Sequence, residues 1–142
     1  MVIAAIDTDR QYLRILGKTL KHLLNGVKFK AFTSAADCLK FAADHPLDLI
    51  FINQNIGRNF ADLQMLHHQL RILRPHVDMI IVYGENEEDS HVALWSIQSR
   101  CSDYICKTDS KDRLNDALRN IWFHPIEASC YSVYAQVMSA AK

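Results

Sequence analysis

The chain has no surplus of charge: 16 lysines and arginines stand against 16 aspartates and glutamates, a formal net charge of +0. That balance removes the usual electrostatic basis for direct nucleic-acid binding by the domain as a whole. It has no long apolar run. Met1-Val2-Ile3-Ala4-Ala5-Ile6 is too short for a signal peptide or a membrane span, and no later stretch reaches the roughly 20 apolar residues a spanning helix needs. A cytoplasmic protein off the membrane is expected. There is no Cys-x-x-Cys pair among Cys38, Cys101, Cys106 and Cys130, and no histidine or cysteine at zinc-ligand spacing near them. They read as buried or half-buried thiols in a reducing compartment. Adjacent His67 and His68 point in different directions on a helix and lack a third ligand, so no metal site is expected. The loop Asp7-Thr8-Asp9-Arg10-Gln11 has neither a glycine nor a Ser/Thr cluster to cradle a phosphate, and no flavin or other cofactor is expected. Internal repeats and low-complexity segments are also missing.

What is present is an alternation of strand and helix signals over 142 residues, 49% of them hydrophobic and 23% charged, the profile of one ordinary globular domain. Val2 to Ile6 is an apolar strand. Leu13, Leu16, Leu20, Leu23 and Leu24 then recur at helical spacing until Asn25-Gly26. Val27 to Phe32 alternates like a half-exposed edge strand, with Val27, Phe29 and Ala31 opposite Lys28 and Lys30. Thr33-Ser34 caps a helix through Ala35, Cys38, Leu39 and Ala42, which stops at His45-Pro46. Leu47 to Ile52 is almost continuously apolar, as a central parallel strand covered on both faces would be. A loop from Asn53 to Asn59 leads to a helix through Leu63, Leu66, Leu70 and Leu73. Asp78 to Tyr83 is a fourth strand. The acidic run Glu85-Asn86-Glu87-Glu88-Asp89 suits the start of a helix through Val92, Trp95 and Ser99. Asp103 to Cys106 is a fifth strand, and Asp109 or Ser110 caps a helix through Leu114, Leu118, Ile121 and Trp122.

Five such units with right-handed crossovers place helices on both faces of a parallel sheet. The expected fold is α/β, a flavodoxin-like doubly wound five-stranded parallel sheet of order 2-1-3-4-5. The domain is expected over residues 1–123. Ile126, Cys130, Val133, Tyr134, Val137, Met138 and Ala141 form a further apolar stripe, so an extra C-terminal helix or linker is expected over 124–142. It either lies back on the domain or serves dimerisation.

In this fold chemistry collects at the carboxyl ends of the strands. Those ends are Asp7-Thr8-Asp9, Asn53-Gln54-Asn55, Tyr83-Gly84-Glu85 and Cys106-Lys107-Thr108. With these residues in view the chain resembles the receiver domain of bacterial response regulators, over roughly Val2 to Phe123. Ala5-Ile6-Asp7-Thr8-Asp9 resembles that family's first acidic turn. Asp48-Leu49-Ile50-Phe51-Ile52-Asn53-Gln54-Asn55 resembles its phosphoacceptor strand and loop, and Ser102-Asp103-Tyr104-Ile105-Cys106-Lys107 its last strand.

The resemblance implies a role for each position. Asp7 matches the first acidic position, and Lys107 matches the family lysine. Tyr104 matches the switch aromatic. Asn55 falls on the residue whose carbonyl helps bind Mg²⁺. Four positions depart from the pattern. Thr8 falls on the second acid, Asn53 on the phosphorylated aspartate, and Gly84 (or Glu85, one register on) on the Ser or Thr that binds the phosphoryl group. Thr108 falls on a proline that usually follows a cis bond. A cis bond before threonine costs about 2.5–4 kcal/mol, so trans is expected.

The departures share one chemical direction. Phosphoryl transfer to aspartate needs a carboxylate nucleophile and a metal to offset charge, and Mg²⁺ usually takes one or two carboxylates. Two carboxylates about 4 Å apart repel by roughly 4 kcal/mol at an effective dielectric near 20. With Thr8 and Asn53 in place that repulsion is gone, and Asp7 can pair with Lys107. The expected pocket, lined by Asp7, Thr8, Asp9, Asn55, Gly84 and Lys107, is near neutral and stable without metal. The chain is thus read as a pseudo-receiver, not an enzyme, that acts through protein contacts in two-component signalling or transcriptional control. Its partner is another protein, an effector segment or a second copy. The contact would be made by the last two strand–helix units or the C-terminal helix. Tyr104 lies there as the switch aromatic, and Trp95 and Trp122 as interface anchors or as core. Two alternatives remain: a conventional Mg²⁺-dependent receiver phosphorylated on Asp7 or Asp9, and a haloacid-dehalogenase-like phosphatase suggested by Asp7-x-Asp9 after an apolar strand. The latter lacks that family's Gly-Thr type turn.

Overall fold

A computed structural model describes residues 1–122. The expected boundary at 123/124 and the expected C-terminal helix lie outside the described residues. The elements are β1 (Val2–Ile6), α1 (Arg10–Leu23), β2 (Lys28–Phe32), α2 (Ala35–Asp44), β3 (Leu49–Asn53), α3 (Phe60–Leu73), β4 (Asp78–Tyr83), α4 (Ser90–Gln98), β5 (Asp103–Cys106) and α5 (Lys111–Trp122). The strands form one five-stranded parallel sheet of order β2-β1-β3-β4-β5, the flavodoxin-like order expected from the alternation of strands and helices. The chain divides into two compact units, Met1–Asp78 and Met79–Lys142.

In the first unit β1 lies between β2 and β3. Ile6 sits opposite Phe32 on one side and Ile52 on the other. Ile3, Ala4, Ala5 and Ile6 are buried, as is every residue of β3, which explains why neither strand alternates in hydropathy. β3 starts later and ends later than the apolar run suggests. Leu47 is buried ahead of it, the Asp48 carboxylate accepts from the Val2 amide at 2.7 Å, and Asn53 is the strand's last residue. The edge strand β2 carries Phe29 and Phe32 half-buried, while Ala31 is exposed, because a methyl group at the open edge is too short to reach cover.

The helices of this unit bury the predicted stripes. Leu13, Leu16 and Leu20 of α1 are buried, and Gly17 lets the helix approach β2: a Cβ there would lie 2.8 Å from the Phe29 ring. Cys38 and Ala42 of α2 are buried, and burial pushes the Cys38 thiol up to about 12, so it stays protonated and unreactive. Leu63, Leu66 and Leu70 hold α3, whereas Leu73 is partly exposed. The Arg74 guanidinium donates from Nε to the Ala42 carbonyl at 2.8 Å, tying the end of α3 to α2.

In the second unit β4 and β5 pair from Ile80 opposite Asp103 to Tyr83 opposite Cys106. α4 buries Val92, Ala93 and Ser96, leaving Trp95 half-buried and Leu94 exposed. α5 buries Leu114, Ala117 and Leu118, with Ile121 and Trp122 half-buried. Asp103 at the start of β5 is only 1% exposed. Its two oxygens accept from Arg113 of α5 at 2.8 and 3.0 Å, a forked ion pair. Burial pulls the Arg113 guanidinium down, but the hydrogen bond and charge of Asp103 outweigh it and leave the group raised.

Candidate functional site

The strand ends of the first unit bring Asp7 and Asn53 together. Asp7 leaves β1 buried, and its amide donates to the Phe32 carbonyl at 3.0 Å, which extends the β1–β2 ladder past the last strand residue. Asn53 Nδ2 donates to Asp7 Oδ2 at 2.8 Å, a buried side-chain bond. Asn53 Oδ1 accepts from the Asn55 amide at 2.7 Å, and the Asn53 carbonyl accepts from Ile56 N at 3.1 Å. The two side-chain bonds agree on which end of the amide is nitrogen, because a carboxylate only accepts and a backbone N–H only donates. Asp7 Oδ1 in turn accepts from the Asp9 amide at 2.9 Å.

The remaining residues expected in this pocket are placed differently. Thr8 is exposed. Asp9 is also exposed and is the N-cap of α1: its Oδ1 accepts from Gln11 N at 3.0 Å and Tyr12 N at 3.1 Å. An N-cap with its oxygen on the helix amides satisfies the first turn. Asn55 is exposed and contributes its amide to the turn below Asn53. The turn continues through Gly57 at φ 85°, where a Cβ would lie 2.5 Å from that of Asp62. Glycine is needed there for both the left-handed backbone and the close approach.

A divalent cation at this strand end would need acceptor oxygens pointing into one space. Among the described residues Asp7 is the one buried carboxylate at the strand ends of the first unit. Each Asp7 oxygen already accepts a hydrogen bond, and the Asn53 group facing Asp7 is an N–H donor, which does electrostatically what a cation would do for that carboxylate. Among the described residues no group of three or more His, Cys, Asp or Glu is arranged to hold a metal ion.

Gly84, Tyr104 and Lys107 belong to the second unit. Gly84 opens a turn closed by Glu87 N donating to the Gly84 carbonyl at 3.0 Å, with Asn86 at φ 66°. The Glu87 carboxylate folds over Gly84, so a Cβ at position 84 would lie 3.0 Å from Glu87 Oε2. A serine or threonine would have to displace that carboxylate, and the Gly84 site presents an anion in place of a hydroxyl donor. Lys107 follows β5 and its amide donates to the Tyr83 carbonyl at 2.8 Å. All peptide bonds of the described residues are trans, including the one before Thr108.

Tyr104, expected as the switch aromatic, is 5% exposed. Its ring packs 4.5 Å from that of Tyr83, and its hydroxyl accepts from the Asp89 amide at 3.1 Å. Asp89 is the N-cap of α4, its carboxylate accepting from His91 N and Val92 N. The tyrosine therefore fixes where α4 begins. Burial, first, and neighbouring carboxylates push Tyr83 up to about 12, and burial raises Tyr104 further, so both phenols stay neutral. The residues that sequence reasoning missed are Glu87 and Asp89. An acidic run before a helix signals favourable charge, but not which carboxylate caps and which folds back. Tyr104→Phe is expected to leave the Asp89 amide without its acceptor and to cost about 0.5–1.5 kcal/mol, read in urea unfolding, with faster amide exchange concentrated at the start of α4.

No protein-family model matches the sequence, and no curated protein matches it either. Solved structures do. The receiver domain of a response regulator from Clostridium thermocellum aligns with a TM-score of 0.70 at 18% identity, over 84% of this chain and 92% of that one. The receiver domain of a DNA-binding response regulator from Colwellia psychrerythraea 34H aligns with a TM-score of 0.72 at 13% identity, over 85% and 97%. A response regulator from Burkholderia pseudomallei, solved with a phosphorylated aspartic acid, calcium ion and citrate, aligns with a TM-score of 0.70 at 16% identity, over 84% and 68%. The chain has the fold of these receiver domains.

Proposed function

We propose that this chain is a receiver-like signalling module that works without aspartyl phosphorylation and acts by binding another protein, in two-component signalling or transcriptional control. The observation that carries the reading is the Asn53–Asp7 bond at 2.8 Å. At the strand end where a receiver needs a free carboxylate nucleophile, this chain has an amide with both ends engaged. An amide nitrogen or oxygen so held is a poor nucleophile, and its donor satisfies the one acid left beside it. The Glu87 carboxylate over Gly84 supports the same reading within the second unit, since a carboxylate lies where the receiver resemblance puts a hydroxyl donor. The fold shared with receiver domains supports the signalling role.

The function then lies on surfaces. Tyr104 holds the start of α4 from below, and α4 presents Leu94 at 47% exposure beside a half-buried Trp95. With Trp122 half-buried on α5, these residues are the proposed protein-binding anchors. No helix among the described residues is long and apolar enough to cross a membrane.

Thermal unfolding with added Mg²⁺ tests the pocket half of this reading. The melting temperature is expected to stay constant through millimolar Mg²⁺, because a cation that binds only the folded chain would raise it by mass action. A saturable upward shift would show a working metal site.

A further inference from the structure

No carboxylate occurs between Asp9 and Asp37, yet Arg10, Arg14, Lys18, Lys21, Lys28 and Lys30 all fall in that interval. α1 sets the first four at spacings of four, four and three, along one face of the helix. All four are exposed, and Ile15, 55% exposed, borders them. Lys28 and Lys30 alternate away from Phe29, whose ring packs on Gly17, so they leave β2 on the other side and are not part of this stripe.

The chain is neutral as a whole, but its charge is divided. Residues 1–78 hold ten lysines and arginines against seven carboxylates, and residues 79–122 hold five against eight. Much of the acidic surplus lies in the loop before α4, where Glu85, Glu87 and Glu88 are exposed within four residues. Leu94 is exposed one turn into the helix that follows.

We infer that the α1 stripe of one copy docks on the acidic loop before α4 of a second copy, head to tail. Charge complementarity selects this occupant. Nucleic-acid phosphates would match α1 but leave the acidic loop without a partner. A lipid surface would need a broader apolar face than Ile15 provides. A second copy supplies the opposite charge, with Leu94 as an apolar counterpart to Ile15. Exposed ion pairs are individually weak and screened by ions, so the contact is weak, reversible and sensitive to salt. Each copy carries both halves of the contact, so average mass rises with concentration. The inference is independent of whether Asn53 blocks phosphorylation.

Sedimentation of the full chain at low and high salt, with charge-reversed variants, tests it. At about 20 mM NaCl the average mass is expected to rise with protein concentration. At about 0.5 M it is expected to fall to the monomer value, as screening shortens the reach of charge to a few ångströms. Arg14→Glu with Lys18→Glu, and separately Glu85→Lys with Glu88→Lys, are each expected to be monomeric at low salt. An equimolar mixture of the two double variants is expected to associate again, because each acidified face then meets a basic one. These side chains are exposed, and circular dichroism checks that the variants fold. Four results would each overturn the inference: a wild-type monomer at low salt, association indifferent to salt, reversed variants that associate like wild type, or a mixture that stays monomeric.

Discussion

Asn53→Asp is expected to destabilise the protein at pH 7 and to leave it nearly as stable as wild type near pH 4. The substitution exchanges the 2.8 Å amide-to-carboxylate bond for two carboxyl groups in contact inside the protein. Repulsion of this kind amounts to about 4 kcal/mol at an effective dielectric near 20. The folded variant escapes it by keeping a proton on one carboxyl, so that group's folded pKa lies above the unfolded value of about 3.9. A raised folded pKa means the folded state binds protons more tightly. The penalty is therefore absent below the unfolded pKa and grows as pH rises towards the raised folded value. Between about pH 3.9 and 7 it can reach roughly 4 kcal/mol, at 1.36 kcal/mol per unit. Unfolding in urea at the two pH values measures it. Millimolar Mg²⁺ is expected to recover part of the loss in the variant and to do nothing for wild type. The variant is still expected to be a poor phosphoacceptor, because on the proposed receiver register Thr8 replaces a second acid that would help hold the metal. An equal loss at both pH values would mean that packing, not charge, governs this strand end.

The second large effect is expected at Arg113. The Asp103 carboxylate is 1% exposed and takes both of its Arg113 bonds inside the second unit. Arg113→Met leaves that charge buried without its cation, which typically costs 3–5 kcal/mol. Adding Asp103→Asn removes the charge while keeping an oxygen for the Tyr104 amide, which now donates to Asp103 Oδ1 at 2.8 Å. The double variant is expected to regain most of the lost stability. A single variant within about 0.5 kcal/mol of wild type would show that water reaches Asp103 and screens it.

Most of the fold was legible because burial wrote itself into spacing. Leu13, Leu16 and Leu20 recur at helical intervals since one face of α1 is covered, and Leu49 to Ile52 is unbroken since β3 is covered on both faces. Strand ends were less legible. Whether Asn53 closes β3 or opens the loop depends on the ladder, and hydropathy does not record hydrogen bonds. Trp95 shows the limit of a pattern on a short helix: it falls at a plausible stripe position, yet Val92, Ala93 and Ser96 make the buried face.

The candidate site was legible to the level of which residues stand at the strand ends. What each carboxylate does there was not. Asp7 and Asp9 are alike as letters, but Asp7 is buried against Asn53 while Asp9 turns back to cap α1. The same division separates Glu87, folded over Gly84, from Asp89, the cap of α4. Backbone N–H groups of the helices decide these roles, and the one-letter sequence does not show where those groups point. Tyr104 is a third instance, since the sequence resemblance suggested a switch aromatic there but its hydroxyl bond to Asp89 N emerges only from the packing of β5 beside α4.

The most direct measurement is intact mass after incubating the wild-type chain with a small-molecule phosphodonor and Mg²⁺, followed by hydroxylamine, which cleaves acyl phosphates. A closed Asn53–Asp7 pair predicts an unchanged mass at all times. A stoichiometric adduct of one phosphate that hydroxylamine removes would contradict it, and mapping that adduct to Asp7 or Asp9 would establish a conventional receiver with a displaced acid.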